Sequence, residues 1–181
     1  MEGLPFVDVA PGEWYYDAVD FVYRNGLMNG IDSAVFSPNT TTTRGMIVTI
    51  LYRFDGTAAA GASGFTDVPE DQYYTSPVAW AAANGIVTGY GDGRFGPNDT
   101  ITRQQMAAIL YRYAQYRGYD VTARANLSGY QDAGQVESYA ADAMSWANAE
   151  GLISGMDATT LAPGGFATRA QVATILMRFC G

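Results

Sequence analysis

The sequence predicts a mainly α-helical domain made of three helix-loop-helix repeats packed around a pseudo-threefold axis. Three observations predict it. Gly26, Gly30, Phe36, Pro38, Arg44, Tyr52 and Arg53 recur 59 places on as Gly85, Gly89, Phe95, Pro97, Arg103, Tyr111 and Arg112, and 66 further on as Gly151, Gly155, Leu161, Pro163, Arg169, Met177 and Arg178. Within each copy the apolar residues follow helical spacing. A unit of about 50 residues cannot bury an apolar stripe alone, whereas three units sharing one core can.

The repeats run 6–54, 65–113 and 130–179, joined by linkers 55–64 and 114–129, and together make one domain over residues 1–181. That length suits a single domain with a core of its own. Each repeat opens alike: Phe6-Val7-Asp8-Val9, Phe65-Thr66-Asp67-Val68 and Tyr130-Gln131-Asp132-Ala133. The first helix of the second repeat is expected over Ser76–Asn84, with Pro77 at its start and Gly85 as its stop. Met144, Trp146 and Ala147 before Gly151 place the matching helix in the third. The second helices carry Ile47, Ile50, Leu51 and Phe54, then Met106, Ile109, Leu110 and Tyr113, then Val172, Ile175, Leu176 and Phe179. The Ala- and Gly-rich stretch from Asp55 reads as a linker. Residues 117–128 are polar, with room for a short helical turn.

Composition excludes several chemistries. The net charge is -8, and all ten basic residues are Arg. With no His and no Lys there is no serine triad, no P-loop lysine and no Schiff base. One cysteine, Cys180, makes neither an internal disulfide nor a thiolate zinc site, so no metal and no cofactor is expected. The acidic balance argues against nucleic acid as a partner. Met1-Glu2-Gly3-Leu4-Pro5 lacks the basic start and apolar stretch of a leader, and no apolar run approaches membrane-spanning length. Acidic residues recur, but no pair stands out as a glycosidase couple. The domain is expected not to be an enzyme.

Thr43, Thr102 and Thr168 each precede the Arg that opens a second helix, and Thr is a good N-cap. Gln105 and Gln171 complete capping boxes; Met46 leaves the first repeat without one. Arg at a helix start opposes the helix dipole, yet Arg44, Arg103 and Arg169 all stand there. Two readings are open: an anion site of guanidinium plus free helix N–H groups, or ion pairs with Asp8, Asp67 and Asp132. Arg53, Arg112 and Arg178 read as helix-end stabilisers. The Gly89-Tyr90-Gly91-Asp92-Gly93 loop lacks both the dinucleotide spacing and the ligand count of a calcium loop, so it reads as a turn. Polar Asn29, Thr88 and Ser154 stand just before Gly30, Gly89 and Gly155 and are candidates for ligand contact. Trp80 and Trp146, with Phe21 in the first repeat, are either core or the aromatic wall of a sugar groove. The recurrent Trp14, Tyr73 and Tyr139 read as packing.

Trp80, Gly85, Gly89-Tyr90-Gly91-Asp92-Gly93-Arg94-Phe95-Gly96-Pro97-Asn98 and Ile101-Thr102-Arg103 resemble the S-layer homology (SLH) repeat almost throughout; the other two units match at the glycines, the proline and the Thr-Arg step. The resemblance implies a non-catalytic module that anchors a bacterial surface protein to the cell wall. Its implied ligand is a secondary cell-wall polysaccharide, acidic or carrying pyruvylated N-acetylmannosamine, held in grooves between repeats. Arg44, Arg103 and Arg169 match the family's groove arginine, and the loop backbone at Gly30, Gly89 and Gly155 would bond sugar oxygens. The isolated domain is expected to be monomeric, without membrane insertion. The resemblance further implies a secreted, wall-located protein whose secretory signal and effector region lie outside this span. Because the second repeat fits best, the groove using Arg103 is expected to bind tightest. The alternative is a protein–protein assembly module of a surface layer, which the 13 Tyr and 8 Phe would suit.

Overall fold

The computed structural model describes residues 2–56 and 62–181; the centre of the expected first linker, 57–61, lies outside them. Among the described residues are six α-helices and no named strand: α1 Tyr16–Arg24, α2 Arg44–Asp55, α3 Thr75–Ala83, α4 Arg103–Tyr116, α5 Ala141–Ala149 and α6 Arg169–Cys180. Helix α3 thus begins one residue before the expected Ser76, and Pro77 is its third residue, still in the turn whose N–H groups lack intrahelical acceptors. The first helices end as the glycines predict. Gly26, Gly85 and Gly151 have φ of 68°, 71° and 71°. The next residue then bonds back into the helix, Leu27 N–H to Val22 O at 2.9 Å and Leu152 N–H to Ala147 O at 2.8 Å.

Two boundaries differ from expectation. Helix α4 runs on to Tyr116, so the second linker begins helical, because Tyr113 and Ala114 still have core to bury against. No helical turn forms over 119–127. That segment has no regular secondary structure, and Ser145 ties it to α5, its hydroxyl donating to Ala125 O at 2.8 Å and accepting from Ala125 N–H at 3.0 Å. Two short 3-10 turns, Ala133–Gln135 and Ser138–Ala140, precede α5.

The helices pack in a closed cycle. The main pairs are α2 with α3, α4 with α5 and α1 with α6, so each first helix lies on the second helix of the preceding repeat, and the first repeat closes on the last. At the axis three backbone bonds form a ring: Thr42 N–H donates to Ala167 O at 3.0 Å, Ala167 N–H to Ile101 O at 3.2 Å, and Ile101 N–H to Thr42 O at 2.9 Å.

The recurrent aspartates hold each repeat's loop. Asp8 accepts from Phe36 and Ser37 N–H at 2.9 and 2.7 Å, Asp67 from Phe95 and Gly96 N–H at 2.8 Å each, and Asp132 from Leu161 and Ala162 N–H at 2.8 Å each. The Leu161 N–H first, then that of Ala162, keeps the Asp132 carboxyl below its ordinary pKa. A lowered folded-state value gives stability that is present above the unfolded value, about 3.9, and is lost as pH falls through the lowered one. The melting temperature is therefore expected to drop on acidification below about pH 4, and Asp132→Asn to flatten that drop in thermal scans.

Candidate functional site

Three grooves surround the axis, of about 290, 380 and 500 Å3, and each is assembled from all three repeats. One repeat supplies the glycine loop and the outer face of its second helix. The preceding repeat in the cycle supplies a buried arginine, and the following one an exposed aromatic ring. The first groove joins loop Leu27–Gly30 and α2 to Arg169 and Tyr73. The second joins loop Val87–Tyr90 and α4 to Arg44 and Tyr139. The third joins loop Leu152–Met156 and α6 to Arg103 and Trp14.

Gly30, Gly89 and Gly155 form the tight floor of these loops. A methyl group at these positions would stand 2.6 Å from Val35 O, 2.7 Å from Arg94 O and 2.8 Å from Thr160 O, and Gly89 also has φ of 73°. These glycines are thus demanded by close backbone approach as well as by groove access. Asn29, Thr88 and Ser154 beside them are exposed, line the grooves and, among the described residues, bond no protein group through their side chains.

The capping geometry matches expectation. Thr102 and Thr168 form complete capping boxes with Gln105 and Gln171, while Thr43 accepts only from Met46 N–H, at 3.2 Å. The anion site expected at these helix starts needs correcting in one respect, because their first N–H groups are not free. Arg44 and Gly45 N–H donate to Asp99 O and Pro97 O at 3.0 and 2.8 Å; Arg103 and Gln104 N–H donate to Gly165 O and Pro163 O at 2.8 and 2.9 Å; Arg169 and Ala170 N–H donate to Thr40 O and Pro38 O at 2.8 and 2.9 Å. The helix starts are spent on joining repeats, which leaves the guanidinium groups as the cationic donors at these positions.

Those groups are deeply placed: Arg44, Arg103 and Arg169 are 7%, 6% and 5% exposed. Each Nε donates to a carbonyl of the next repeat, Phe95 O at 2.9 Å, Leu161 O at 3.1 Å and Phe36 O at 2.8 Å. Arg103 and Arg169 also donate from Nη2 to Ser154 O and Asn29 O. Arg44 stands over the rings of Tyr90 and Phe95, 4.7 Å from each centroid, and Arg169 over Phe36 at 4.5 Å. The alternative of ion pairs with Asp8, Asp67 and Asp132 is not realised, since those carboxylates hold loop N–H groups instead. Among the described residues no carboxylate lies within 4 Å of any of the three guanidiniums. Burial pushes all three below their ordinary pKa. They stay charged, since an Arg pKa starts above about 12. Three buried cations, none in a direct ion pair among the described residues, therefore line three grooves; Asp99, Asp132 and Asp8 favour their charges only from beyond contact distance, so their desolvation is only partly offset.

The structure decides the aromatic alternatives. Trp80 and Trp146 are core residues and not groove walls, 2% and 3% exposed. Trp80 packs against Tyr52, Tyr113 and Tyr116 with centroids at 5.7, 6.1 and 6.1 Å, and Trp146 against Tyr111 and Phe179. Trp14, Tyr73 and Tyr139, expected to pack, are instead 65%, 56% and 47% exposed, one in each groove. Their signal in the sequence was an aromatic recurring outside any apolar helical stripe. Arg53, Arg112 and Arg178 also line the grooves. Arg53 and Arg178 do occupy last turns, but Arg112 is in the body of α4, because that helix continues to Tyr116.

The expectation tied to Arg103 changes because that arginine does not serve its own repeat's loop. The second repeat's loop is read by Arg44; Arg103 crosses to the third repeat's loop. Cys180 is half-buried, its thiol pushed up to about 12 by burial, and stands apart from all three grooves. Among the described residues no three acidic or sulfur groups gather as a metal site, and no helix is long and apolar enough to cross a membrane.

Residues 5–45, 64–107 and 129–173 match the S-layer homology domain family. The chain is 30% identical to an endoglucanase of Bacillus sp. (strain KSM-635) over 96% of its own length and 18% of that protein's. It is 30% identical to the surface-layer 125 kDa protein of Lysinibacillus sphaericus, over 90% of the chain and 14% of that protein, and 28% identical to an amylopullulanase of Thermoanaerobacterium thermosulfurigenes, over 90% and 9%. The chain thus spans less than a fifth of each of these relatives.

Proposed function

This chain belongs to the S-layer homology domain family, and on that footing we propose that it is a non-catalytic anchoring module that holds a larger surface protein to the bacterial cell wall. Its ligand in this proposal is an acidic secondary cell-wall polysaccharide, of the pyruvylated N-acetylmannosamine type. The observation that carries this reading is the set of three buried arginines that form no direct ion pair among the described residues, each sharing a groove with an exposed aromatic ring. A carboxylate suits the planar guanidinium fork, and a pyranose presents C–H faces that stack on an aromatic ring. Asn29, Thr88 and Ser154 add hydroxyl or amide partners at the groove edge. The relatives named for carbohydrate hydrolysis are far longer than this chain, so any such activity is assigned to regions outside it.

Sedimentation with cell-wall sacculi tests the proposal. The domain is expected to co-sediment with intact sacculi and to remain in solution once the secondary polymer has been extracted. Binding that survives extraction would point to a protein or peptidoglycan partner and to the assembly reading.

A further inference from the structure

The three grooves share a plan but differ in how their buried arginine is held. Arg103 and Arg169 are tied at two points, Nε and Nη2, and the Nη2 acceptors are the carbonyls of Ser154 and Asn29. Among the described residues the corresponding carbonyl in the middle repeat, that of Thr88, accepts no protein donor, and Arg44 donates from Nε alone. All four Nη protons of Arg44 are therefore unspent, and neither Nη atom is sealed from the groove.

A different device holds the Arg44 guanidinium in place. It lies 4.7 Å from the centroids of both Tyr90 and Phe95. The Tyr90 hydroxyl donates to Asp99 Oδ2 at 2.7 Å, which pins that ring in its place. Gly96 makes the brace possible: a Cβ there would fall 2.6 Å from both Asp99 Oδ2 and the Tyr90 ring. The other repeats have Ile31 and Met156 at the Tyr90 position and Ser37 and Ala162 at the Gly96 position, so neither builds the brace.

A second cation faces the same groove. Arg112 is half-buried on α4, forms no hydrogen bond or ion pair among the described residues, and lies near enough to Arg44 to disfavour its charge. Among the described residues the one acid lining this groove is the exposed Glu137, while Asp99, behind Tyr90, favours the Arg44 charge from beyond contact distance. Two guanidiniums, four unspent Nη protons on the inner one and a free carbonyl at Thr88 make a place for one carboxylate and an adjacent hydroxyl.

We propose that the Arg44–Arg112 groove is the primary carboxylate site of this domain, with Arg112 as its second carboxylate ligand and Tyr90, braced by Asp99, as the residue that positions Arg44. This deepens the polysaccharide reading and rests on it. In the other two grooves a carboxylate meets an arginine already tied to the loop, with no braced ring.

The test is calorimetric titration of the chain with the methyl glycoside of N-acetylmannosamine bearing a 4,6-linked pyruvate ketal, and with the same sugar lacking the ketal. Arg112→Gln is expected to weaken ketal-sugar binding about tenfold, the loss of one charge-assisted contact. Arg178→Gln, in the third groove, is expected to cost at least about fivefold less. Arg24→Gln serves as a surface-charge control. Tyr90→Ile, which installs the first repeat's residue, is expected to weaken binding about tenfold, and Tyr90→Phe, which keeps the ring and drops the brace, about threefold. Thermal melts of each variant separate folding loss from affinity loss; a Tyr90 role confined to stability would move the melts and leave the folded fraction's affinity unchanged, overturning its positioning role. Equal losses in Arg112→Gln and Arg178→Gln would overturn the ranking while leaving the polysaccharide reading standing. Equal binding of both sugars would overturn carboxylate capture. Failure of the unaltered chain to bind either sugar would overturn the polysaccharide reading and this proposal together.

Discussion

A chain shortened to residues 2–128, which keeps two whole repeats, is expected to lose cooperative folding altogether. The reason is the closed cycle. Helix α1 packs on α6 and α4 packs on α5, so removing the third repeat strips the partners from helices at both ends of the remaining pair. Ala18, Val19 and Val22 on α1, all buried in the whole domain, become a bare apolar face. The axial ring breaks as well: Thr42 N–H loses Ala167 O, and the carbonyl of Ile101 loses Ala167 N–H. Arg169 no longer bonds Phe36 O, and Arg103 loses Leu161 O. A whole domain has only about 5–15 kcal/mol of net stability to lose. Thermal scans by circular dichroism should show a broad, sloping change for the shortened chain and one sharp transition for the whole one. A sharp transition in the shortened chain would mean that two repeats form a self-sufficient core.

Trp80→Ala is expected to cost about 3–5 kcal/mol of folding stability, the range for an aromatic ring removed from a core. The ring lies among Tyr52, Tyr113 and Tyr116 and is nearly fully enclosed. Part of the loss is offset, because the buried Nε1–H has no acceptor and its removal relieves an unsatisfied donor. Urea unfolding measures the loss. Under the proposed function, binding of wall polymer by the folded fraction should stay unchanged, since Trp80 is not among the residues lining the three grooves. A drop in affinity at unchanged unfolding midpoint would instead return Trp80 to the groove wall.

Several features were legible in the sequence because they are local. Gly26, Gly85 and Gly151 stop helices through a backbone conformation available to glycine at little cost, so a helical stripe followed by Gly suffices to place the stop. Thr102 with Gln105, and Thr168 with Gln171, complete boxes within four residues. The recurrence of Asn29, Thr88 and Ser154 beside glycines pointed to groove positions without coordinates. The aromatic residues were not legible in this way. Trp80 and Tyr73 each recur once per repeat, and recurrence alone does not tell an enclosed ring from an exposed one. Which ring is enclosed depends on which helix of which other repeat comes to lie against it.

The three copies, their helices, their caps and the scarcity of positive charge were determined by the sequence itself, since each follows from composition or from residues a few places apart. The partnering was decided only in three dimensions. Arg44 serves the second repeat's loop, Arg103 the third's and Arg169 the first's; the aspartates hold loop amides rather than arginines; the helix starts spend their N–H groups on neighbouring carbonyls. These are bonds between segments as much as 140 residues apart. A chain of repeats can close its cycle in either sense with the same local pattern. Only the packing of α1 on α6, which seals the apolar face that three separate repeats would leave bare, selects which arginine enters which groove.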